Sequence, residues 1–336
     1  MDHADRRLPL VYDPGPSAGA GRATADGGGL RLRLMFRIAH ISDLHIPPLP
    51  RMRVRQLVGK RLLGLYSWHH KWKAEHREEI LDSLLAQLDE LQPDHVCVTG
   101  DLTFTTHPEE VDAAAAWLTR LGPASKVSLI PGNHDAYAHG SLDYALERWA
   151  PWMQDDDARP SFPYLQRRGP VDIIGLSSAV ATLPGFSSGR MGEEQIARLE
   201  ALLGKLADER RPRLLLIHHP PQDGATNRAR GLTDRHALQA LLARSPVDLV
   251  LHGHLHRPVR SALAGPDGPI PVLGAASAST LGQRYAPAHY HVLEVDSEAA
   301  SAPVIRVRHS HYDPVKGAFL LGESVAVTAP EAKATT

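Results

Sequence analysis

Apolar residues along this chain follow two alternating rhythms. Short unbroken runs at 37–41, 95–99, 126–130, 171–176, 213–217 and 248–251 read as buried strands. Between them, apolar positions recur at helical spacing. Over 75–91 the stripe is Ile80, Leu81, Leu84, Leu85, Leu88 and Leu91, stopped by Pro93; over 192–207 it is Ile196, Leu199, Leu203 and Leu206. Further helices are expected at 108–121, with proline near the first turn and Gly122-Pro123 past the end, at 141–152, and from Thr233 or Asp234 to 243. Beyond residue 251 the helical rhythm stops, and 259–263, 270–273, 289–295 and 304–309 read as strands between turn-forming residues. Strands alternating with helices, then strands alone, predict one large α/β unit with two sheets packed face to face and helices outside.

Three segments break the rhythm. Residues 1–34, rich in Gly, Ala, Asp, Arg and Pro without an apolar period, are expected to form a disordered tail, and Met35 stands directly before the first strand as a second candidate start. The domain is expected to span 35–312, followed by a loose tail over 313–336. Residues 51–73 hold seven basic residues and no acidic one, with Val54, Leu57, Val58, Leu62, Leu65 and Trp68 at helical spacing. Such a basic amphipathic insert suits either a membrane surface or a cover over the domain core, and Gly59 and Gly64 weaken it as a free-standing helix.

Composition narrows the class. With 336 residues, 43% hydrophobic and 22% charged, the chain can bury a sizeable core, and its net charge of -1 argues against a globally basic nucleic-acid binder, so no nucleic-acid partner is expected. The single Cys97, inside a strand-like run, rules out an internal disulfide and a thiolate zinc site. No apolar run reaches membrane-spanning length and no secretory apolar segment opens the chain, so the expected location is cytoplasmic, with any peripheral contact at the inner membrane face through 51–73.

The chemistry lies where strands end. The run Leu129-Ile130 breaks at Pro131-Gly132 and then presents Asn133, His134 and Asp135. Four other apolar runs end on similar chemistry, in Asp43-Leu44-His45, in Gly100-Asp101, in His218-His219-Pro220-Pro221, and in His252-Gly253-His254-Leu255-His256. A lone histidine at a strand end is usually just hydrogen-bonded. Five such ends in one chain are different: carboxylates, an amide oxygen and imidazoles together suit first-row cations better than calcium or magnesium. A carboxylate at Asp101 has two oxygens and could bridge two ions.

In this order, Asp43-x-His45, Gly100-Asp101, Gly132-Asn133-His134-Asp135, His218 and Gly253-His254-x-His256 resemble the calcineurin-like metallophosphoesterase superfamily over about residues 36–310. The resemblance implies a four-layer α-β-β-α sandwich with two mixed sheets and a dinuclear centre of divalent or mixed-valence first-row ions, manganese, iron or zinc. Carried over by motif, Asp43, His45 and His256 would hold one ion, Asn133, His218 and His254 the other, and Asp101 would bridge them. His134 would face the phosphate, and a metal-bridging hydroxide would attack it. Asp135 would either orient His134 or serve as a turn carboxylate; His219 and His252 are expected outside the ligand set, and His40 has no assigned role.

Departures from the family pattern narrow the substrate. Where protein phosphatases of the superfamily continue with a Val-Asp-Arg-Gly-like run, this chain has Leu102-Thr103-Phe104-Thr105, which argues against a phosphoprotein. His218-His219-Pro220-Pro221 resembles the class III cyclic nucleotide phosphodiesterase branch, and Arg228 and Arg230 are candidates for binding substrate phosphate. The expectation is a metal-dependent phosphodiesterase. Its rivals are a membrane-surface hydrolase of a lipid-linked diphosphate, similar to UDP-2,3-diacylglucosamine hydrolases, and a non-catalytic binding module on the same fold.

Overall fold

The computed structural model describes residues 35–50, 52, 60–157, 161–209, 211–296 and 304–327. The tail expected over 1–34 and the first part of the basic insert lie outside them. Two six-stranded mixed sheets dominate. The first contains β1 (Phe36–Ile41), β2 (His95–Val98), β3 (Val127–Leu129), β10 (His289–Asp296), β11 (Val304–Asp313) and β12 (Ala318–Ala326), in the order β12-β11-β10-β1-β2-β3. The second contains β4 (Tyr164–Arg168), β5 (Val171–Gly175), β6 (Arg213–Leu216), β7 (Leu249–His252), β8 (Val259–Leu263) and β9 (Ile270–Gly274), in the order β4-β5-β6-β7-β9-β8.

The two faces of a strand explain the layering. On β6, Leu214 and Leu216 join the large core between the sheets, whereas Leu215, and Ile217 just past the strand, point outward into a second apolar cluster. That outer cluster is closed by helices α5 (Glu193–Lys205) and α6 (Arg235–Leu242), through Leu199, Leu203, Leu238 and Leu241. Helices α2 (Glu78–Leu91), α3 (Pro108–Leu121) and α4 (Ser141–Trp149) contribute Ile80, Leu84, Val111, Leu118 and Trp149 to the cluster that includes the first sheet. Helix, sheet, sheet and helix make the four layers.

Two elements differ from expectation at the ends of the sheets. Of the segment expected to be loose over 313–336, Ala318–Ala326 instead pairs with β11 as β12, with Gly322 inside the strand, and 328–336 lie outside the described residues. It is a half-exposed edge strand, so its apolar alternation is faint, and a β-bulge near Arg308 and Ser310 further blurs the register. β4 carries only two buried positions, Tyr164 and Gln166, one of them polar, and gave no apolar signal. Asp234 precedes α6 but makes no capping bond there. Its carboxylate instead accepts from Met191 and Gly192 N–H at the start of α5.

Strand direction decides where chemistry can gather. β1, β2 and β3 are mutually parallel, and so are β5, β6, β7 and β9. The loops leaving β1, β2, β3, β6 and β7 therefore emerge at carboxyl ends, the edge where open α/β sheets build their sites.

Candidate metal centre

Those five loops bring the expected donors together. Asp43, His45, Asp101 and His256 offer ligand atoms within 4.8 Å of one another, and Asp101, His218 and His254 form a second such group. Asp101 belongs to both. Its Oδ2 lies 3.3 Å from His218 Nε2 and 3.9 Å from His45 Nε2. Asn133 joins the second group, with Oδ1 2.7 Å from His254 Nδ1 and 3.1 Å from His218 Nε2. On the other side His256 Nε2 sits 3.2 Å from Asp43 Oδ1 and 3.3 Å from His45 Nε2.

The backbone is bent to achieve this. Asp43, His45, Asp101, His254 and His256 all have φ between 39° and 68°, the left-handed region that non-glycine residues rarely occupy. Such conformations cost about 1–3 kcal/mol each and persist only where the surroundings over-determine them. Here the surroundings are backbone hydrogen bonds from Asp43 N–H to the Gly100 carbonyl and from His45 N–H to the Asp101 carbonyl, 2.9 Å each. Close approach needs glycine at two places. A Cβ on Gly132 would collide with Asp101, and one on Gly253 with Ser42 and Asp43.

Asp135, whose role the sequence leaves open, does not touch the His134 ring. Its carboxylate accepts from the N–H groups of Asp101, Leu102, Thr103 and Gly132 and from the Thr103 hydroxyl, at 2.8–3.0 Å. It locks the loop that carries Asp101 to the loop that carries Asn133.

Tautomers follow from the outer partners. His45 Nδ1 donates to the Thr103 carbonyl at 2.9 Å and His218 Nδ1 to the Thr99 carbonyl at 2.7 Å. A carbonyl only accepts, so Nδ1 holds a proton in each; Nε2 of His45 then aims a lone pair inward, and Nε2 of His218 does so once its second proton leaves. Burial and the neighbouring His134 keep His45 near a pKa of about 3, and burial with His218 does the same for His254. Burial works against protonating His218 too, but the Asp101 and Asp43 carboxylates overcome it and push its pKa up to about 9. Burial would raise Asp101, yet His218 and His134 hold it well below the usual carboxylate range. Converging lone pairs and two buried carboxylates, eased by one proton on His218, are a donor set that fits two cations: the atoms present would accept a first-row metal without rearranging the scaffold.

His134 stands beside this set. Its backbone N–H donates to Asp101 Oδ1 at 2.7 Å and its Nδ1 to the Phe104 carbonyl at 2.8 Å, while its ring stacks on Tyr137 and meets His45 edge-on. The remaining nitrogen, Nε2, is uncommitted to those bonds. His219 spends both ring nitrogens, on Ser178 Oγ and the Ser187 carbonyl, and so stays outside the donor set as expected. Arg228 and Arg230 lie exposed in the turn region after β6; among the described residues neither bonds to the donors, although the charge of Arg230 is felt at Tyr285, where it opposes the rise in pKa that burial and Glu75 cause.

The sequence reading missed an aromatic wall. Trp72 lies with ring centroids 5.4 Å from His45, 5.3 Å from His256 and 6.1 Å from His134, and stacks on Tyr285 at 5.4 Å. It ends a π-helical turn, Trp68–Trp72, that continues helix α1 (Lys60–Ser67). The described part of the basic insert thus covers the centre: Trp68 is buried against Phe104, Lys60 sits over the Tyr137 ring, and Arg61 bonds the carbonyls of Thr105 and Thr106. Leu62, Leu63 and Tyr66 face away and are 54%, 48% and 61% exposed. Glu75 closes the arrangement by accepting the N–H groups of Gly282, Gln283 and Arg284, which fixes the loop bearing Tyr285. Trp72 lies four residues after Trp68, a spacing that marks one helical face; nothing local marks Tyr285.

A cAMP/cGMP dual specificity phosphodiesterase of Mycobacterium tuberculosis is 28% identical over 68% of this chain and 64% of its own length. A probable cyclic nucleotide phosphodiesterase of Rhodococcus erythropolis is 29% identical over 59% of this chain and 61% of its own. The chain thus spans less than two thirds of the length of these curated relatives. Among solved structures, a dimetal phosphatase from Danio rerio has the same fold, with a TM-score of 0.55 at 13% identity over 87% of this chain and 99% of that one. The calcineurin-like phosphoesterase model matches residues 36–258, the stretch that supplies every donor described above, and on that match the chain belongs to the calcineurin-like phosphoesterase family.

Proposed function

We propose that the protein is a dinuclear metal-dependent phosphodiesterase, with Asp43, His45 and His256 holding one ion, Asn133, His218 and His254 the other, and Asp101 shared. The observation that carries this reading is the position of Asp101 Oδ2 between the two donor groups, 3.3 Å from His218 and 3.9 Å from His45. Bound first-row cations would neutralise charge building on the phosphoryl oxygens and acidify the attacking water. His134, oriented through Nδ1 by the Phe104 carbonyl, has Nε2 available to give a proton to the leaving oxygen. Asp135 holds the two loops in register so that His134 and Asp101 keep their spacing.

The substrate class proposed is a nucleoside phosphodiester. Two relatives named for cyclic nucleotides support it, and so does the partly exposed Trp72 ring beside the donors, a surface on which a base can stack. The test is hydrolysis of bis(p-nitrophenyl) phosphate and of cyclic AMP by chelated, manganese-reloaded protein. Turnover that depends on both metal and His134 is expected; turnover that survives chelation or the His134→Ala change would sink the reading. A second reading, hydrolysis of a lipid-linked diphosphate, is favoured by one observation: Leu62, Leu63 and Tyr66 are exposed on a segment with Lys60, Arg61, Lys71 and Lys73. Flotation with anionic liposomes decides it, since a protein that stays at the bottom of the gradient does not work at a membrane surface.

A further inference from the structure

A second histidine cluster, sharing no residue with the first, lies in the central strands of the first sheet, at the amino end of β10 beside the last residues of β1. His289 and His291 are two apart on β10 and so share a face, and His309 of β11 is the cross-strand partner of His291. Each of the three offers a ring nitrogen within 4.8 Å of the others. His289 and His291 are buried, and His309 is half-buried. Their rings pack at centroid distances of 4.6 Å (His289 with His291) and 5.0 Å (His291 with His309).

The hydrogen bonds leave this cluster incomplete. His291 Nε2 and His289 Nδ1 are buried nitrogens without a partner among the described residues. The other nitrogen of His291 is held: Nδ1 lies 3.1 Å from His40 Nδ1, and His40 Nε2 lies 2.9 Å from Thr99 Oγ1. One consistent set of tautomers has His291 donating from Nδ1 to His40, and His40 donating from Nε2 to Thr99. That set leaves His291 Nε2 as a bare buried lone pair on a ring fixed through its other nitrogen, the arrangement of a histidine that binds a cation. Burial also keeps all three imidazoles in the neutral form that a metal requires, reinforced by repulsion from neighbouring rings at His289 and His291 and by the Arg260 charge at His309.

We propose that His289, His291 and His309 form a third metal site, separate from the centre around Asp101. Three neutral imidazoles with no carboxylate or thiolate select a borderline ion such as zinc, cobalt, nickel or copper over magnesium, calcium or manganese. Zinc binding would draw the three ring nitrogens to about 2.0–2.1 Å from the ion, on a scaffold fixed by two paired strands.

The test is cobalt stoichiometry in the full chain after chelation, reloading and desalting, read by metal analysis and by the visible absorption of four-coordinate cobalt. The wild type is expected to hold one equivalent more than His309→Asn, and Asp101→Asn is expected to retain that His309-dependent equivalent while losing metal elsewhere. Failure of the phosphodiesterase reading would leave this difference intact. Equal stoichiometry in the wild type and a folded His309→Asn would overturn the proposal. Should that variant fail to fold, imidazole nitrogen NMR of the wild type decides: zinc must shift the resonances of His289, His291 and His309, and unshifted resonances would overturn it.

Discussion

The shell of strand-end loops and the helical cover above it are built on opposite principles. Every donor in the shell sits on a loop pinned by backbone hydrogen bonds or by Asp135, and five of those donors hold left-handed backbone conformations. Helix α1 has no buried residue of its own and attaches through a cation over Tyr137, two arginine bonds to carbonyls, and Trp68 just beyond its end. The shell fixes chemistry and the cover shapes access. Damage to the first should remove turnover, and damage to the second should change which molecules bind and how well.

The largest effect is expected at Asp101. Asp101→Asn keeps the shape but removes the shared charge, and should lower kcat by more than ~10³-fold, the scale of several kcal/mol of lost transition-state stabilisation, with metal content falling alongside. His134→Ala should cost ~10²–10³-fold in kcat with metal content unchanged, because the ring is beside the donor set and outside it. Equal metal loss in both variants would erase the distinction between ligand and proton donor.

A pH effect comes next. The His218 pKa, pushed up to about 9 in the metal-free fold, lies above the ordinary value of 6.5. In the metal-free protein this proton therefore contributes stability below pH 6.5 that fades as pH rises through about 9. A cation must displace it, so apparent metal affinity should climb by up to roughly tenfold per pH unit between about 7 and 9 and level off above. Metal addition in weak buffer should release about one proton per chain at about pH 7, and calorimetry in buffers of different ionisation enthalpy measures it. The smallest effect belongs to the cover: Trp72→Ala should raise KM roughly 3–10-fold, the scale of one lost aromatic contact, with kcat and metal content nearly unchanged. A large drop in kcat for Trp72→Ala would show that the cover also sets the chemistry.

How much of this was legible before the structure follows from the same contrast. Asp43, His45, Asp101, Asn133, His218, His254 and His256 each follow a short apolar run, so pattern and chemistry coincide in one local signal. Trp72 and Tyr285 meet across more than two hundred residues, and Tyr285 is positioned by Glu75, a contact that no local pattern encodes. The insert read equally as membrane face or cover because both use a basic amphipathic stripe; only the burial of Trp68 against Phe104 shows which side meets the domain. Asp135 was ambiguous for a related reason. Four of its five hydrogen bonds go to residues brought near by the pairing of β2 with β3. β12 escaped notice because a half-exposed edge strand needs little apolar alternation.

The central claim is that two cations share Asp101. Anomalous diffraction from crystals of manganese-loaded protein, collected on either side of the metal edge, measures this directly. Two peaks flanking Asp101 Oδ2, one among Asp43, His45 and His256 and the other among Asn133, His218 and His254, are predicted. A single peak there, or none with the metal bound elsewhere, would contradict the account.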